Sequence, residues 1–188
     1  LINISISHIK TSGYLNIDHP TTIPAGAMGD ITLRYTAPHT SDIYGTISDK
    51  ICLTIDGNRA RYMLSCEAII TDNFSMVDDI SAPRADISKK IIKFGEINSD
   101  KRVLEEMITI VNGGASPLEL RRIESTSEAL ECIASSLTLQ PEESAELHIR
   151  LYTERITATE GLYSERLRII TNDPVRPMQS IKVNAIID

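Results

Sequence analysis

The sequence is poor in the residues that most catalytic and binding sites use. It contains no tryptophan, two phenylalanines and three cysteines in 188 residues. So few aromatic side chains argue against a flat platform for stacking sugar rings. The formal net charge of −7 comes with no basic patch, which argues against nucleic acid or an anionic membrane as a partner. No apolar run approaches the roughly 20 residues that span a bilayer as a helix.

The cysteines do not predict a disulfide framework. Cys52, Cys66 and Cys132 are odd in number, so they cannot all pair within one chain. Strand alternation points Cys52 and Cys66 to opposite faces, which argues against a bridge between them. We expect free thiols that pack as small apolar groups.

Apolar and polar residues alternate along most of the chain, and turn signals recur every 8–12 residues, as in a β-sandwich. Two of these signals, Asn112-Gly113-Gly114 and Asn172-Asp173-Pro174, lie where hairpins need a turn. Short polar side chains there can bind nearby backbone N–H groups, and glycine can supply a positive φ. We interpret these six residues as structural turns.

The chain contains an internal repeat with an offset near 115 positions. Residues 4–9 match 118–123, residues 23–56 match 139–172, and residues 64–70 match 181–187. The segment from about Arg84 to Ser116 has no earlier counterpart. This pattern indicates a duplicated domain whose first copy lacks its opening third.

Two antiparallel sheets that each carry one apolar face must bury those faces against each other. The sequence therefore predicts an all-β fold of two tandem immunoglobulin-like sandwiches, the first lacking its opening strands. We place the truncated sandwich at residues 1–72, a linker at 73–90 and the complete sandwich at 91–188. Upstream residues, the linker, the second domain or another chain would have to close the gap in the first copy.

Several segments of the second copy resemble the start and the later parts of a bacterial immunoglobulin-like domain of unknown function. These segments are Phe94-Gly95-Glu96-Ile97, residues 108–114, residues 117–120, residues 139–144, Gly161-Leu162-Tyr163 and residues 169–174. That family is similar to the major-sperm-protein and abnormal-spindle-like (ASH) group. The resemblance implies a periplasmic, cell-surface or secreted envelope protein that binds other proteins without catalysis.

One family feature is missing. The family often carries a Cys-Gly-Cys stretch, and this chain has Ser12-Gly13-Tyr14 and Ser127-Glu128-Ala129 at the equivalent places. The departure removes the feature that would support a redox or metal role.

No residue set predicts catalysis, a cofactor or a metal. His8, His19, His39 and His148 lack metal-ligand spacing. Asp18-His19 has no nucleophile elbow to serve. Adjacent carboxylates such as Glu105 and Glu106, or Asp78 and Asp79, read as solvated faces, and glycines 26, 29, 113 and 114 form no phosphate cradle. Tyr44 and Tyr163, beside turn glycines, are weak loop-binding candidates.

Three functions remain open at this stage. The first is a non-catalytic cell-envelope module for protein–protein interaction or structure, with an unknown protein partner. The second is a subunit of a strand-complemented assembly, like an adhesin or fimbria, with self-association through the incomplete first domain. The third is a carbohydrate-binding module.

Overall fold

A computed structural model describes residues 1–37, 43–78, 80–97, 102–157 and 160–187, with the backbone alone at 58–61. His39 and Asp79 lie outside these ranges. The chain divides into two compact units, Leu1–Ile70 and Thr71–Asp188. Within the described ranges, no helix has the length and hydropathy needed to cross a membrane.

The described residues of the first unit form six strands: β1 (Ile2–Lys10), β2 (Leu15–Asp18), β3 (Thr22–Ile23), β4 (Thr32–Tyr35), β5 (Gly45–Ile55) and β6 (Asn58–Ile70). One sheet has the order β3-β1-β5-β6, and β2 pairs with β4 in a second, smaller sheet. Every pairing is antiparallel.

In the second unit, the part of the chain that the structure describes forms nine strands and one short 3₁₀ helix, Thr153–Arg155. The strands are β7 (Ala85–Ile87), β8 (Ile91–Ile97), β9 (Val103–Asn112), β10 (Leu118–Ser125), β11 (Leu130–Ala134), β12 (Thr138–Leu139), β13 (Ser144–Tyr152), β14 (Gly161–Thr171) and β15 (Met178–Ile187). The two sheets have the orders β12-β10-β14-β15-β8 and β11-β13-β9-β7.

The opening segment of the second unit changes sheets. Strand β7 pairs antiparallel with β9, and β8 then pairs parallel with β15 in the other sheet. Ala85 and Ile92 are both buried, so this one segment contributes to the core from each sheet. Residues 85–87 fall in the predicted linker 73–90, which therefore ends earlier than the sequence indicated. A three-residue strand is too short to show a period-two pattern among polar neighbours.

The first unit has the strand order of the second without β7, β8 and β9. Ile2 pairs with Ile23 as Leu118 pairs with Leu139, each position 116 residues further along. Backbone hydrogen bonds recur at the same offset: Ile4 N to Thr21 O and Leu120 N to Leu137 O are both 2.8 Å. The predicted fold class, an all-β immunoglobulin-like sandwich, is confirmed.

The hydrophobic core is concentrated in the second unit. Its continuous cluster of buried residues lies wholly within residues 85–185. Among the described residues of the first unit, only Leu15, Ile51 and Cys52 are buried hydrophobics. Because burial of apolar area is the main stabilising term, the first unit should be the less stable one.

We therefore expect two unfolding transitions, with the first unit melting at the lower temperature. Ile51→Ala should shift only the lower transition and Ile110→Ala only the upper one, each by about 2–4 kcal/mol, because each removes a buried side chain from one unit. Differential scanning calorimetry of the whole chain measures both. A single cooperative transition moved equally by either substitution would contradict this expectation.

Candidate functional site

The Asn112 turn ties together several backbone segments of the second unit. The buried Asn112 amide donates to Ser116 O at 2.8 Å and to Leu139 O at 3.0 Å. Its Oδ1 accepts from Gly114 N at 3.0 Å and from Arg84 N at 3.3 Å. All of its hydrogen-bonding capacity is used inside the fold, so the side chain has a structural role.

The Asp173 turn anchors the opening strand. The buried Asp173 carboxylate accepts from Ala85 N at 3.0 Å, Val175 N at 2.9 Å and Arg176 N at 3.1 Å. Arg84 Nη1 lies 3.4 Å from it, which compensates the buried charge. The neighbouring Asn172 accepts from Glu119 N at 2.8 Å, and Pro174 is half-buried in the same turn.

Glycine was expected to supply a positive φ in the turns, but the glycines of the Asn112 turn do not. Gly26 has a positive φ of 78°, but Gly29, Gly113 and Gly114 do not. A Cβ on Gly114 would lie 2.5 Å from Arg84 N and also collide with the carbonyl of Ala82. Gly114 is therefore needed for close backbone approach and not for a left-handed conformation.

The two candidate tyrosines do not form an exposed platform. Tyr163 lies within β14, is 7% exposed and belongs to the core of the second unit. Burial raises the pKa of its hydroxyl. Tyr44 is half-buried just before β5. Alternation along β14 turns Tyr163 inward. Because Tyr163 lies close to Gly161, the sequence suggested a loop position instead.

The titratable side chains singled out in the sequence are dispersed. His8 and His148 are exposed on strands, and the His19 ring contacts Pro20 O at 3.0 Å. Glu105 pairs with Arg150 at 2.8 Å, while Glu106 pairs with Lys89. In the part of the chain that the structure describes, no three His, Cys, Asp or Glu residues are placed to hold a metal ion.

The three cysteines are free thiols. Cys52 is buried, and Cys66 and Cys132 are half-buried. Burial raises the pKa of Cys132 to about 12, so this thiol is protonated at neutral pH.

One side of the first unit lacks cover. We call it the open side and define it by Ile31 just before β4, Leu33 and Tyr35 on β4, and Leu64, Cys66 and Ala68 on β6. Within the described ranges, β4 pairs with β2 alone and β6 with β5 alone. Each of these strands therefore presents one edge of backbone N–H and C=O groups that no strand pairs.

The second unit shows what the open side is missing. There β13, the equivalent of β4, pairs with β9 along its whole length, and β15, the equivalent of β6, pairs with β8. Ile149 and Ile181 are 0% exposed. The equivalent residues of the first unit, Leu33 and Leu64, are 38% and 39% exposed. The same inner-face positions are thus more exposed in the first unit, whose described residues include no counterparts of β8 and β9.

A polar cluster that we did not anticipate holds the two sheets of the first unit together. Asp49 on β5 is buried, and its carboxylate accepts from Ser12 N and Ser12 Oγ, both at 2.7 Å. The Tyr35 hydroxyl on β4 lies 2.8 Å from Asp49 Oδ2 and 2.9 Å from Cys66 O on β6. Alternation with Ile47 and Ile51 was the available signal that Asp49 points inward.

The environment of Asp49 favours its ionised form. Burial alone would raise the pKa of Asp49, but the hydrogen bonds from Ser12 and Tyr35 outweigh burial and lower the pKa below its usual value of 3.8. Burial, together with the neighbouring Asp49 charge, raises the pKa of Tyr35. The carboxylate therefore stays charged inside the unit and can act as an acceptor for both sheets.

Comparison with known proteins identifies solved structures with a similar fold but indicates no function. No family model matches the chain, and no curated protein matches it. A solved structure of a protein of unknown function from Porphyromonas gingivalis is similar over 98% of this chain and 84% of its own, at 20% identity with a TM-score of 0.73. That similarity extends over both units and concerns the fold alone.

Two further solved structures match part of the chain. The ASH/PapD-like domain 7 of human CEP192 matches over 64% of this chain and 96% of its own, at 12% identity and a TM-score of 0.45. The E. coli chaperone DraB matches over 56% of this chain and 55% of its own, at 13% identity and a TM-score of 0.41. An ASH/PapD-like domain is thus among the solved structures that are similar to part of this chain.

We expect Asn112→Ala to destabilise the second unit by about 2–3 kcal/mol, because it leaves buried backbone groups without partners. Asn172→Ala should cost less, since Asn172 is only half-buried. The shift of the upper transition in urea or heat measures both. Equal effects of the two substitutions would show that burial of the amide is not what matters.

We expect the first unit to lose stability in acid through Asp49. A carboxyl whose folded pKa is lowered stabilises above its unfolded pKa, and this contribution is lost as the pH falls through the folded pKa, below about 4. Asp49→Asn should cost about 1.5–3 kcal/mol at pH 7 and flatten the pH dependence of the lower transition. The exposed Asp30→Asn is the matched control, and a response equal to that of Asp49→Asn would refute the assignment.

Proposed function

We propose that this chain is a non-catalytic protein–protein interaction module and that the open side of the first unit is its binding face. The observation that carries the proposal is that β4 and β6 each leave one edge without a partner strand among the described residues. These edges flank apolar side chains that the second unit buries at the equivalent positions. Exposed apolar surface next to free strand edges is typical of protein docking sites.

The chemistry of the open side favours a polypeptide over a small molecule or a sugar. A strand edge presents alternating N–H and C=O groups along its length, and another extended backbone satisfies both series at once. The apolar side chains between the two edges add burial to the hydrogen bonds. Neither half-buried Tyr44 nor buried Tyr163 offers a ring face for a sugar.

The proposal includes the statement that this chain does not catalyse a reaction. Many exposed charged side chains of the second unit are engaged with neighbouring strands, as in the pairs Arg150–Glu105 and Arg176–Asp86, both at 2.8 Å. Such pairs stabilise sheet surfaces modestly and do not converge on a substrate.

We also infer that the two units are copies of one domain. The shared strand order and the hydrogen bonds repeated at an offset of 116 support this relation. A cell-envelope location, which the family resemblance implies, is part of the same proposal. In this interpretation the complete copy is a stable support and the open copy is the binding element.

The proposal is tested by capture from a cell-envelope extract with the whole immobilised chain. Leu33→Asp and Leu64→Asp should each abolish capture of a protein that the wild type retains, because each places a charge on the open side. Leu162→Asp, at a residue 67% exposed in the second unit, should leave capture unchanged. Capture that all three variants retain equally would rule out the open side as the binding face.

A further inference from the structure

We propose that the outer face of the five-stranded sheet in the second unit is a separate binding surface, which takes an acidic polypeptide segment. We call it the basic face and define it by Arg166 on β14, Lys182 on β15 and Lys93 on β8, with Arg122 and Arg168 beside them. The inference goes beyond the proposed function and does not depend on the open side.

Strand register brings the cations of the basic face together. Side chains that alternate with the buried core residues of β14 and β15 point outward. Among these, Arg166 lies directly opposite Lys182. Lys93 lies opposite Asn184, which is the next outward position along β15. The three cations thus occupy three adjacent strands and span roughly 10 Å, the width of two inter-strand spacings.

These three central cations lack a counter-charge. Each is exposed, and none of them forms an ion pair with a residue that the structure describes. The two outer arginines differ, because Arg122 and Arg168 both contact Glu124, at 3.4 Å and 3.6 Å. On β8, Glu96 lies near the end of the strand, opposite Ile186. The positive charge of the basic face is therefore concentrated at its centre.

The central pair is electrostatically unfavourable in the isolated chain. Like charges directly opposite each other destabilise an antiparallel pair, as Arg166 and Lys182 are here. The first unit has a similar pair, Lys10 opposite Lys50, but there the exposed Glu67 lies two residues from the partner of Lys50. A carboxylate placed between Arg166 and Lys182 would replace their repulsion by two charge-assisted hydrogen bonds.

The other side chains of the basic face favour a polypeptide over other polyanions. Ser164, Ser180 and Asn184 lie between the cations, and no described outward residue of β8, β14 or β15 is aromatic. Single-stranded nucleic acids are usually held by stacking on aromatic rings, which this face does not offer. An extended peptide repeats its side chains on one side about every 7 Å, so alternate carboxylates can reach cations on neighbouring strands.

The charge of the whole chain adds orientation. At a net charge of −7, the chain repels an acidic partner except where cations are clustered. The sequence shows no basic run at the basic face, because its cations are distributed over four strands between residues 93 and 182. The sheet is what assembles them.

A second copy of the chain is a poorer partner than a separate acidic segment. On the other sheet of the second unit, Glu105 pairs with Arg150 at 2.8 Å, and Glu131 accepts from the Tyr152 hydroxyl at 2.8 Å. These carboxylates are already engaged within their own unit. A segment rich in Asp or Glu brings carboxylates that have no such partners.

The probe for this inference is a short synthetic peptide of alternating glutamate and serine that carries an uncharged fluorophore. Titration with the whole chain at low salt should give a saturable rise in fluorescence anisotropy, and the affinity should fall at least about 10-fold at about 0.15 M salt. Arg166→Glu combined with Lys182→Glu should weaken binding at least about 10-fold at low salt, because two attractions become repulsions.

Two variants separate the basic face from overall charge and from folding. Lys10→Glu combined with Lys50→Glu makes the same change of net charge on the first unit and should leave binding unchanged. Arg166→Glu alone sets opposite charges facing each other, so it should weaken binding without lowering the upper unfolding transition. Weaker binding by this variant then cannot be ascribed to an unfolded second unit.

Several outcomes would overturn the inference. These are the lack of a saturable rise and an equal loss of affinity in the variant of the first unit. Polygalacturonate that competes as well as the peptide, at equal carboxylate concentration, would show a surface for any polyanion and overturn the polypeptide assignment. A dimer in light scattering that Arg166→Glu with Lys182→Glu dissociates would identify a second copy as the occupant instead.

The same variants keep this inference apart from the proposed function. Leu33→Asp and Leu64→Asp should lose capture from the extract but still bind the acidic peptide. Arg166→Glu with Lys182→Glu should lose the peptide and keep that capture. Either surface can therefore fail its test while the other passes.

Discussion

Both units depend on one constraint: the apolar inner faces of two sheets must be covered from the side as well as from each other. In the second unit the opening segment meets this constraint by crossing between the sheets, as β7 beside β9 and then β8 beside β15. Among the described residues of the first unit no strand takes the equivalent place, and inner-face side chains such as Leu33 and Leu64 are partly exposed. The contrast in core size follows from this difference.

The first unit compensates in part with polar contacts. The Asp49 carboxylate, Ser12 and the Tyr35 hydroxyl join its two sheets through hydrogen bonds. Hydrogen bonds of this kind fix geometry but bury little apolar area, so they hold the unit together without filling the gap. A unit that is ordered and yet open on one side is suited to accept an extended partner, which is why we locate function there.

Much of the architecture could be predicted from residue patterns. Alternation identified most of the strands. Local patterns failed where they were short or ambiguous. Strand β7 is only three residues long and was assigned to the linker. Asp49 alternates with Ile47 and Ile51 along β5, but its burial was not predicted because charged side chains usually face solvent.

The sequence by itself determined the class of fold and the positions of most strands, because these follow from local periodicity. Only the tertiary structure decided which groups are buried, that Gly114 is required for backbone approach, and that Tyr163 is a core residue. It also revealed which strand edges have no partner in the described residues. Those properties depend on contacts between residues far apart in the chain, and no local pattern records them.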